Sequence, residues 1–399
     1  MLIAAVLGAG MSVEMETRAD QAPYRPDSDE TTVAHLRPSA LPAVERELRH
    51  RRRILAGNPT HLPLAASIAR DCIVRAREEA DPRFLGGAVS ALEPWWNDPS
   101  PDPEILILRG TIRQGLHEFD RAIADLRAAV ERDPRRGQAW LTLASIHCVQ
   151  GDFPAARRAA LHVAELTDPL TATTLAAQIA SLNGRAQAAR KALESVLQPT
   201  GSPAPRKDGT SEVLLWAGTL LAEISARLGD VIAAERHFRT ALELSPRDPY
   251  LLASFSDFLL DQRRPEEAAC LLRGRERSDA LLLRLAEASR DPQLASRFGD
   301  RMDAALNAGV RLHLREAARY ELRLRRRPAV ALRLAQENWN LQREPADVRL
   351  LCEAAAAARD QDALRTVQNW IQQTGLEDVA LPKIQPPGHS SGTPPAKAP

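Results

Sequence analysis

The stretch LWAGTLLAEISARLGDVIAAERHFRTALELSP, residues 215–246, decides the fold. Gly229 divides it into two segments of good helix formers, and glycine suits a turn between helices because it adopts the left-handed conformation at little cost. Ala222 and Ala234 are small enough for two antiparallel helices to approach closely. Phe238 supplies bulk to fill the groove to a neighbouring pair. The stretch therefore predicts one antiparallel helix pair.

The same arrangement returns along the chain with a period close to 34 residues, which is typical of helix-pair solenoids. Its clearest marker is the small residue in the second helix, which stands at Ala122, Ala156, Ala189, Ala234 and Ala268. The repeat ends are marked by proline, because the residue before a proline disfavours helical backbone. These ends are Asp133-Pro134, Ser245-Pro246 and Glu344-Pro345.

This order of large, small, glycine, small, aromatic, small and proline residues resembles the tetratricopeptide repeat. The resemblance is strong for residues 103–275 and looser for the flanking pairs, which we place at residues 58–96, 278–309, 311–342 and 346–375. It implies an all-α, right-handed superhelical solenoid of about nine antiparallel helix pairs.

Composition sets the predicted boundaries of the segments. Residues 1–41 contain too little apolar sequence to bury a core and are expected to be mobile. The N-terminal repeats occupy residues 42–198, and the C-terminal repeats occupy residues 211–375. Between them, residues 199–210 form a predicted inserted loop rich in Pro, Gly, Ser and basic residues. The Pro-rich residues 376–399 are a predicted disordered tail.

Five short stretches resemble, beyond the generic repeat, an uncharacterised group of bacterial tetratricopeptide proteins that are commonly exported. They are REEADPRFL (77–85), PWW (94–96), AQENW (335–339), QREP (342–345) and TGLED (374–378). This second resemblance implies no activity.

The first ten residues, MLIAAVLGAG, resemble the apolar region and small-residue cleavage zone of a secretory signal but lack a preceding positive region. Three interpretations stay open: the remnant of a longer signal, a weak signal, or a tail. The polar, Pro-containing residues 19–40 that follow are typical of a linker after a cleaved signal. A periplasmic or secreted location is therefore favoured, and a cytoplasmic location is the alternative.

Charge and hydropathy narrow the class of partner. The formal net charge is +1, so the overall field favours neither nucleic acid nor an anionic membrane. Two arginine clusters, in residues 49–53 and 323–327, lack the interleaved aromatics that stack on bases, and we interpret them as solvated helix ends. No apolar run approaches the roughly 20 residues of a membrane-spanning helix. The predicted partner is another protein, with no nucleic acid and no integral membrane span.

We find no pattern of residues that predicts catalysis, a cofactor or a metal. The sequence has no nucleophile elbow, phosphate-binding loop or metalloprotease motif, and its nine histidines lack metal-ligand spacing. Four widely separated cysteines are interpreted as small buried apolar residues, although disulfide pairing stays open: Cys72, Cys148, Cys270 and Cys352. A hydrolase on a helical scaffold would require titratable residues that converge in the groove. The sequence predicts a protein that is not an enzyme.

The tetratricopeptide resemblance implies that the first helix of each pair lines a concave face. Mapping the inward positions of the repeat onto this chain gives a predicted partner-binding strip: Gln138, Ser145, Thr174, Gln178, Trp216, Glu223, Tyr250, Asp257, His313, Glu316 and Tyr320. Trp216, Tyr250 and Tyr320 are its predicted aromatic anchors. The Lys and Asn of carboxylate-clamp repeats are missing, because Ile107 and Thr111 stand at these positions in one early helix.

These features favour a non-enzymatic scaffold or adaptor that binds a peptide or a helix in the concave groove. The alternative is an accessory, chaperone-like factor for assembly of an enzyme or an envelope complex.

Overall fold

The computed structural model describes residues 28, 31, 43–197, 210–310 and 312–381. The chain divides into two compact units, residues 1–50 and residues 51–399, and the repeats lie in the second. The predicted mobile segment, inserted loop and tail lie almost entirely outside the described residues, so those boundaries stay predictions.

Within the described ranges the structure contains twenty helices and no strand. They are α1 (Ala43–Gly57), α2 (Leu62–Glu78), α3 (Arg83–Ala91), α4 (Glu93–Trp96), α5 (Pro103–Gly115), α6 (Phe119–Arg132), α7 (Gly137–Gln150), α8 (Phe153–Leu166), α9 (Pro169–Ser181), α10 (Ala186–Leu197), α11 (Thr210–Arg227), α12 (Val231–Leu244), α13 (Pro249–Asp261), α14 (Pro265–Leu272), α15 (Asp279–Ser289), α16 (Pro292–Asn307), α17 (Leu314–Arg323), α18 (Pro328–Trp339), α19 (Pro345–Ala358) and α20 (Gln361–Thr374).

Apart from α1 and the one-turn α4, these helices form nine antiparallel pairs, from α2/α3 and α5/α6 to α19/α20. Each pair packs on the next, and the first helices of successive pairs also contact one another. The predicted right-handed solenoid of about nine pairs is confirmed. None of the helices in the described part of the chain is both long and apolar enough to cross a membrane.

The turn inside each pair passes through a residue with a positive φ. Three pairs use the predicted glycines, Gly151, Gly184 and Gly229, at φ of 77°, 68° and 82°. The other six pairs place a side-chain-bearing residue there, at φ between 46° and 59°: Ala80, His117, Arg263, Arg290, Arg326 and Arg359. Residues other than glycine adopt this conformation at a cost, but all nine turns have the same geometry, and two of these six pairs, α5/α6 and α13/α14, lie within residues 103–275, where the repeat pattern is strong.

The small residues that define the repeat lie where the helices approach most closely. The five marker alanines, from Ala122 to Ala268, are all buried, with at most 2% of their surface exposed. Phe238 fills the space between its own pair and the next, where its ring stacks on Phe255 at 5.0 Å between centroids. The packing role predicted for both residue types is confirmed.

The superhelix closes on itself within residues 51–399. The Arg343 N–H donates to the Val149 carbonyl over 2.7 Å, and the Val379 N–H donates to the Arg227 carbonyl over 2.9 Å. We call this contact the seam: it joins residues 341–343, α20 and residues 375–381 to the inner ends of pairs α5/α6, α7/α8, α9/α10 and α11/α12.

Apolar contacts and a helix cap complete the seam. The rings of Phe153 and Trp370 lie 6.2 Å apart between centroids. Glu377 accepts a hydrogen bond of 2.7 Å from the Ala186 N–H at the start of α10. Residues 376–381, which the sequence assigns to a disordered tail, are therefore packed against the repeats, and Leu376 is 6% exposed. In these six residues the chain departs from the predicted disordered tail, since Glu377 bonds to Ala186, Val379 to Arg227 and Asp378 to Arg349. The tail predicted for residues 382–399 lies outside the described residues and stays a prediction.

Candidate functional site

The first helices of the pairs form a continuous inner layer, as the repeat pattern predicts. Contacts run from α5 to α7, α9, α11, α13, α15, α17 and α19. The predicted strip follows these helices, but its residues divide into three groups according to their contacts. Their role in binding a partner remains a prediction.

The predicted residues of α7 and α9 are polar and are largely satisfied by their own helices. The Ser145 hydroxyl donates to the Leu141 carbonyl over 2.9 Å. Thr174 is fully buried, and its hydroxyl donates to the Leu170 carbonyl over 2.7 Å. Gln138 is exposed at the start of α7 and Gln178 is half-buried. Thr174 is therefore closed to a partner and the hydroxyl of Ser145 is already bonded, so Gln138 and Gln178 are the predicted residues of α7 and α9 whose side chains stay open to one.

Trp216 on α11 is half-buried and packs against the core of the second, third and fourth pairs. Its bulk therefore fills space between pairs, and it has little free surface to act as an anchor. Tyr250, near the start of α13, differs because 58% of its surface is exposed.

Tyr250 is exposed, and charged side chains from several elements of the superhelix act on it. The surrounding protein and then the carboxylates of Glu223 and Glu344 raise the pKa of its hydroxyl, and Arg315 opposes them. These three residues come from α11, from the loop before α19 and from α17.

Glu223 is the carboxylate beside this ring. It accepts a hydrogen bond of 2.6 Å from the Ser254 hydroxyl. Removal from water raises its pKa, while hydrogen bonds from Ser254 and Tyr250 and the charge of Arg227 act in the opposite direction. Among the described residues, none forms an ion pair with Glu223. Tyr250 and Glu223 therefore present an aromatic ring and an unneutralised acid side by side.

Asp257 does not face a partner because two arginines of the same chain hold it. Arg284 donates to it from α15 over 2.7 and 3.0 Å, and Arg319 donates from α17 over 2.7 Å. Burial by itself would raise the pKa of this carboxyl, but the two guanidinium groups outweigh it and hold the pKa well below its usual range. The sequence placed Asp257 on the inner face but gave no sign of these partners.

Asp257 belongs to a series of arginine–carboxylate pairs across the inner helices, which we call the ladder: Asp257, Arg284, Glu287, Arg315, Arg319, Arg323, Glu344, Asp347 and Glu353. Arg319 also donates to Glu287 over 2.6 and 2.7 Å. Arg323 contacts Glu353 at 2.9 Å, and Arg315 contacts both Asp347 and Glu344 at 2.5 Å. The ladder ties α13, α15, α17 and α19 together.

The structure corrects the prediction of which side chains of α17 point to the inner face. Tyr320 is buried at 8% exposure and lies against Phe298, with 5.1 Å between ring centroids, so its ring is not open to a partner. The inward positions are instead Arg315, Arg319 and Arg323. Their spacing of four residues was the signal in the sequence that could have identified them.

His313 and Glu316, at the start of α17, are half-buried. Burial raises the pKa of Glu316, but Arg315, Arg284 and His313 outweigh it, and the net pKa is lowered. Within the described residues no ion pair involves Glu316, so it is the second carboxylate of the strip without a salt bridge.

Among the described residues the cysteines form no disulfide. All four cysteines are free; Cys72, Cys148 and Cys352 are buried as predicted, whereas Cys270 is exposed. Burial raises the pKa of Cys148 to about 12 and that of Cys352 to about 11, which keeps both thiols protonated. No group of His, Cys, Asp or Glu side chains among the described residues has a geometry that could hold a metal ion.

Comparison with known proteins was made by sequence and by structure. No protein-family model matches the sequence, and no curated protein matches it. The resemblance to a bacterial, commonly exported group therefore stays a prediction.

Three solved structures have a similar fold. The APC/C hetero-tetramer Cut9-Hcn1 is 17% identical, with a TM-score of 0.43, over 82% of this chain and 60% of that chain. A tetratricopeptide repeat protein from Parabacteroides merdae is 12% identical, with a TM-score of 0.36, over 76% of this chain and 98% of that one.

The third is the structure of Naa15/Naa10 bound to HypK-THB, 18% identical, with a TM-score of 0.28, over 82% of this chain and 56% of that chain. The chain spans less than two thirds of the first and third proteins. By its nine helix pairs and its small-residue packing, the chain is a solenoid of tetratricopeptide-like helix pairs.

Proposed function

We propose that this protein is a non-enzymatic scaffold or adaptor that binds a peptide or helix of another protein in the concave surface around Tyr250. The observation that carries the proposal is the exposure of this ring, at 58%, on the inner face of a superhelix. Aromatic side chains that stand in a concave surface dominate binding energy in many interfaces, because a partner removes a large area from water there.

Charge suggests which segment of a partner fits. Among the described residues Glu223 and Glu316 form no salt bridge, although the charge of Arg227 acts on the first and those of Arg315 and Arg284 act on the second. The neighbouring carboxylates of the ladder are paired with arginine. A lysine or arginine of the partner would form the salt bridge that Glu223 lacks, and its stem would cover the Tyr250 ring. The favoured ligand is a peptide or helix with at least one basic residue.

The experiment is affinity capture from the native host with cross-linking, followed by binding measurements with the recovered protein. Tyr250→Ala with Glu223→Gln is expected to weaken that binding by about 30-fold or more, since loss of a central aromatic anchor costs about 2 kcal/mol or more. The matched control is Ile232→Ala, which removes a side chain that is 84% exposed at the start of α12.

If the wild type and the variant with Tyr250→Ala and Glu223→Gln bound the partner equally, the surface around Tyr250 would not be the binding site. The identity of the captured protein also separates an adaptor from an assembly factor, because an assembly factor recovers subunits of one complex before that complex is complete.

A further inference from the structure

The end of the described chain lies against the inner helices of the superhelix. The side chain of Asp378 is fully buried and accepts hydrogen bonds of 2.6 and 2.8 Å from Arg349 on α19. Arg349 also donates to Asp261 on α13 over 2.8 Å. The Val379 N–H donates to the carbonyl of Arg227, the last residue of α11. The chain therefore leaves its described part beside α11, α13 and α19.

Charge at this point is unbalanced among the described residues. Asp261 and Asp378 share the guanidinium group of Arg349. Arg227 is 5% exposed and donates to the last residue of α9, and none of the described carboxylates forms an ion pair with it. Burial lowers the pKa of Arg227, and the charges of Asp378 and Glu223 act against this shift, so both carboxylates lie near it. Three carboxylates therefore lie around two guanidinium groups, and Glu223 is the one without a salt bridge.

Glu223 is within reach of the chain that follows Leu381. It lies four residues before Arg227 on α11, which is about 6 Å along the helix axis. Lys383 follows Val379 by four residues, and an extended chain covers at most about 3.5 Å per residue, or about 14 Å here. Lys383 can therefore place its ammonium group at the Glu223 carboxylate while Val379 stays bonded to Arg227.

The sequence of this segment complements the acidic inner face. Residues 382–399 contain two lysines, Lys383 and Lys397, and neither Asp nor Glu. Six of these eighteen residues are proline, which favours an extended backbone, so the segment loses little conformational entropy when it docks in extended form. Because the segment is attached beside Glu223, its effective concentration there is high, and even a weak ion pair can hold it.

We propose that residues 382–399 dock on the inner surface around Tyr250, with the Lys383 ammonium group paired to Glu223. The docked segment covers the position that the function proposed above gives to a basic residue of the partner, so the segment and the partner compete. This competition rests on that proposed function. The docking does not, because it involves this chain alone.

The test of the docking is zero-length cross-linking of the full-length chain with a water-soluble carbodiimide, which joins a lysine to a carboxylate in contact with it. The chain has four lysines, so peptide mass mapping assigns each link to one of them. The control acceptor is Asp230, which precedes the outer helix α12 and adjoins Gly229, the residue that Val379 contacts. The side chain of Asp230 is 43% exposed.

In the monomeric product, Lys383 should link to Glu223 at least about tenfold more often than to Asp230, because docking raises its concentration at Glu223. A yield at Asp230 as high as that at Glu223 would overturn the docking, since the segment would then not face the inner surface. Links found only between two chains would overturn it as well, because the occupant would then be a second copy.

Two variants of opposite charge, Lys383→Arg and Lys383→Glu, test the docking without a cross-link. Glu223 is labelled with carbodiimide and glycine ethyl ester, and labelling should be at least about threefold faster in Lys383→Glu, where like charges repel the segment. Equal labelling of the two variants, together with no link from Lys383 to Glu223 in the wild type, would overturn the docking.

The captured partner separates the docking from the proposed function. It should bind Lys383→Glu more tightly than Lys383→Arg, because the repelled segment no longer competes with it. Equal affinities beside a clear link from Lys383 to Glu223 would contradict the competition and leave the docking in place.

Discussion

The inner face of α7 and α9 and the inner face of α13 to α17 belong to the same superhelix but are stabilised differently. In the first region, hydroxyls such as that of Thr174 bond to the carbonyl four residues earlier in the same helix. In the second region, arginines such as Arg319 bond to carboxylates on other helices. The first region therefore holds each helix by itself, whereas the second locks several helices into one arrangement.

This difference shows in which part of the inner face bonds between helices fix their spacing. Among the described residues no hydrogen bond joins α7 to α9, so the spacing of these two helices depends on apolar packing. In the second region the ladder fixes the spacing, since buried guanidinium groups are costly when they lose their carboxylates. Tyr250 on α13 and Glu223 on α11 lie where the two regions meet.

The largest expected effect comes from breaking the ladder at Asp257. Asp257→Ala leaves Arg284 and Arg319, which are 6% and 8% exposed, without this carboxylate. We expect the free energy of unfolding to fall by roughly 3 kcal/mol, the usual cost of an unpaired buried charge. Urea unfolding followed by circular dichroism measures the loss.

The matched control for Asp257→Ala is Glu353→Ala, at the exposed end of the same ladder, where we expect a loss of about 1 kcal/mol or less. Similar losses in the two variants would show that the ladder does not stabilise the second region as described.

The next largest effect is on how stability depends on pH. It comes from His117, whose ring nitrogen lies 3.4 Å from the side-chain nitrogen of Gln342 in the seam. Desolvation, and then the charge of Arg315, lowers its pKa from 6.5 to about 4. The other groups that act on it are Glu316, His313 and Asp347. A depressed histidine pKa means that its contribution to stability is complete above pH 6.5 and is lost as the pH falls towards 4.

We therefore expect the wild type to lose roughly 1 to 2 kcal/mol more than His117→Gln between pH 7 and pH 5. Urea unfolding of both proteins at the two pH values measures the difference. Parallel losses in the two proteins would show that His117 is not buried at the seam.

A smaller loss of stability is expected when a methyl group is added at the seam. Gly375→Ala and Gly309→Ala both place alanine at a positive φ, 70° and 74°, and so share the same backbone strain. A Cβ at Gly375 meets the backbone of Gly184 at 3.3 Å, whereas a Cβ at Gly309 has nothing within 4 Å. Gly375→Ala should cost about 1 kcal/mol more than Gly309→Ala, as measured by thermal unfolding. Equal costs would contradict the close approach of the two ends.

The smallest loss of stability is expected for substitutions on the inner face of α7 and α9. Thr174→Val replaces a buried hydroxyl that bonds only to its own helix, and the loss should be at most about 1 kcal/mol. Thermal unfolding checks this, with Ser145→Ala as a second example. If Thr174→Val lost as much stability as Asp257→Ala, the two regions would not be stabilised differently.

Much of the fold could be predicted from the sequence because its determinants are local. The turn glycine Gly229, the small Ala234 and the bulky Phe238 each act within one or two pairs, and the structure places them in the predicted roles. The inner face of α17 is harder to predict because this helix lies outside residues 103–275, where the repeat pattern is strong. The looser pattern places Tyr320 on the inner face, where the structure has Arg319.

The ladder and the seam lay beyond the reach of the sequence for a different reason. Asp257 meets Arg319 over 62 positions, and Glu377 meets Ala186 over 191 positions. Residues so far apart in the sequence meet only because each helix pair is rotated slightly relative to the pair before it. These small rotations add up along the superhelix, but none of them is marked by a pattern of residues in the sequence. The order of Leu376 to Asp378 against the repeats has the same origin.

The central claim is that the superhelix closes on itself through the seam, and a cysteine cross-link tests it most directly. A Cβ at Gly229 would lie 3.3 Å from a methyl carbon of Val379, where the Sγ of a cysteine at 379 would stand, and in a disulfide the Cβ of one cysteine lies about 3 Å from the Sγ of the other. Gly229→Cys with Val379→Cys, in a Cys270→Ser background, should cross-link almost completely under mild oxidation, as read by peptide mass mapping. Gly309→Cys with Val379→Cys is the control and should not cross-link. Cross-linking no greater than in the control would contradict closure of the superhelix.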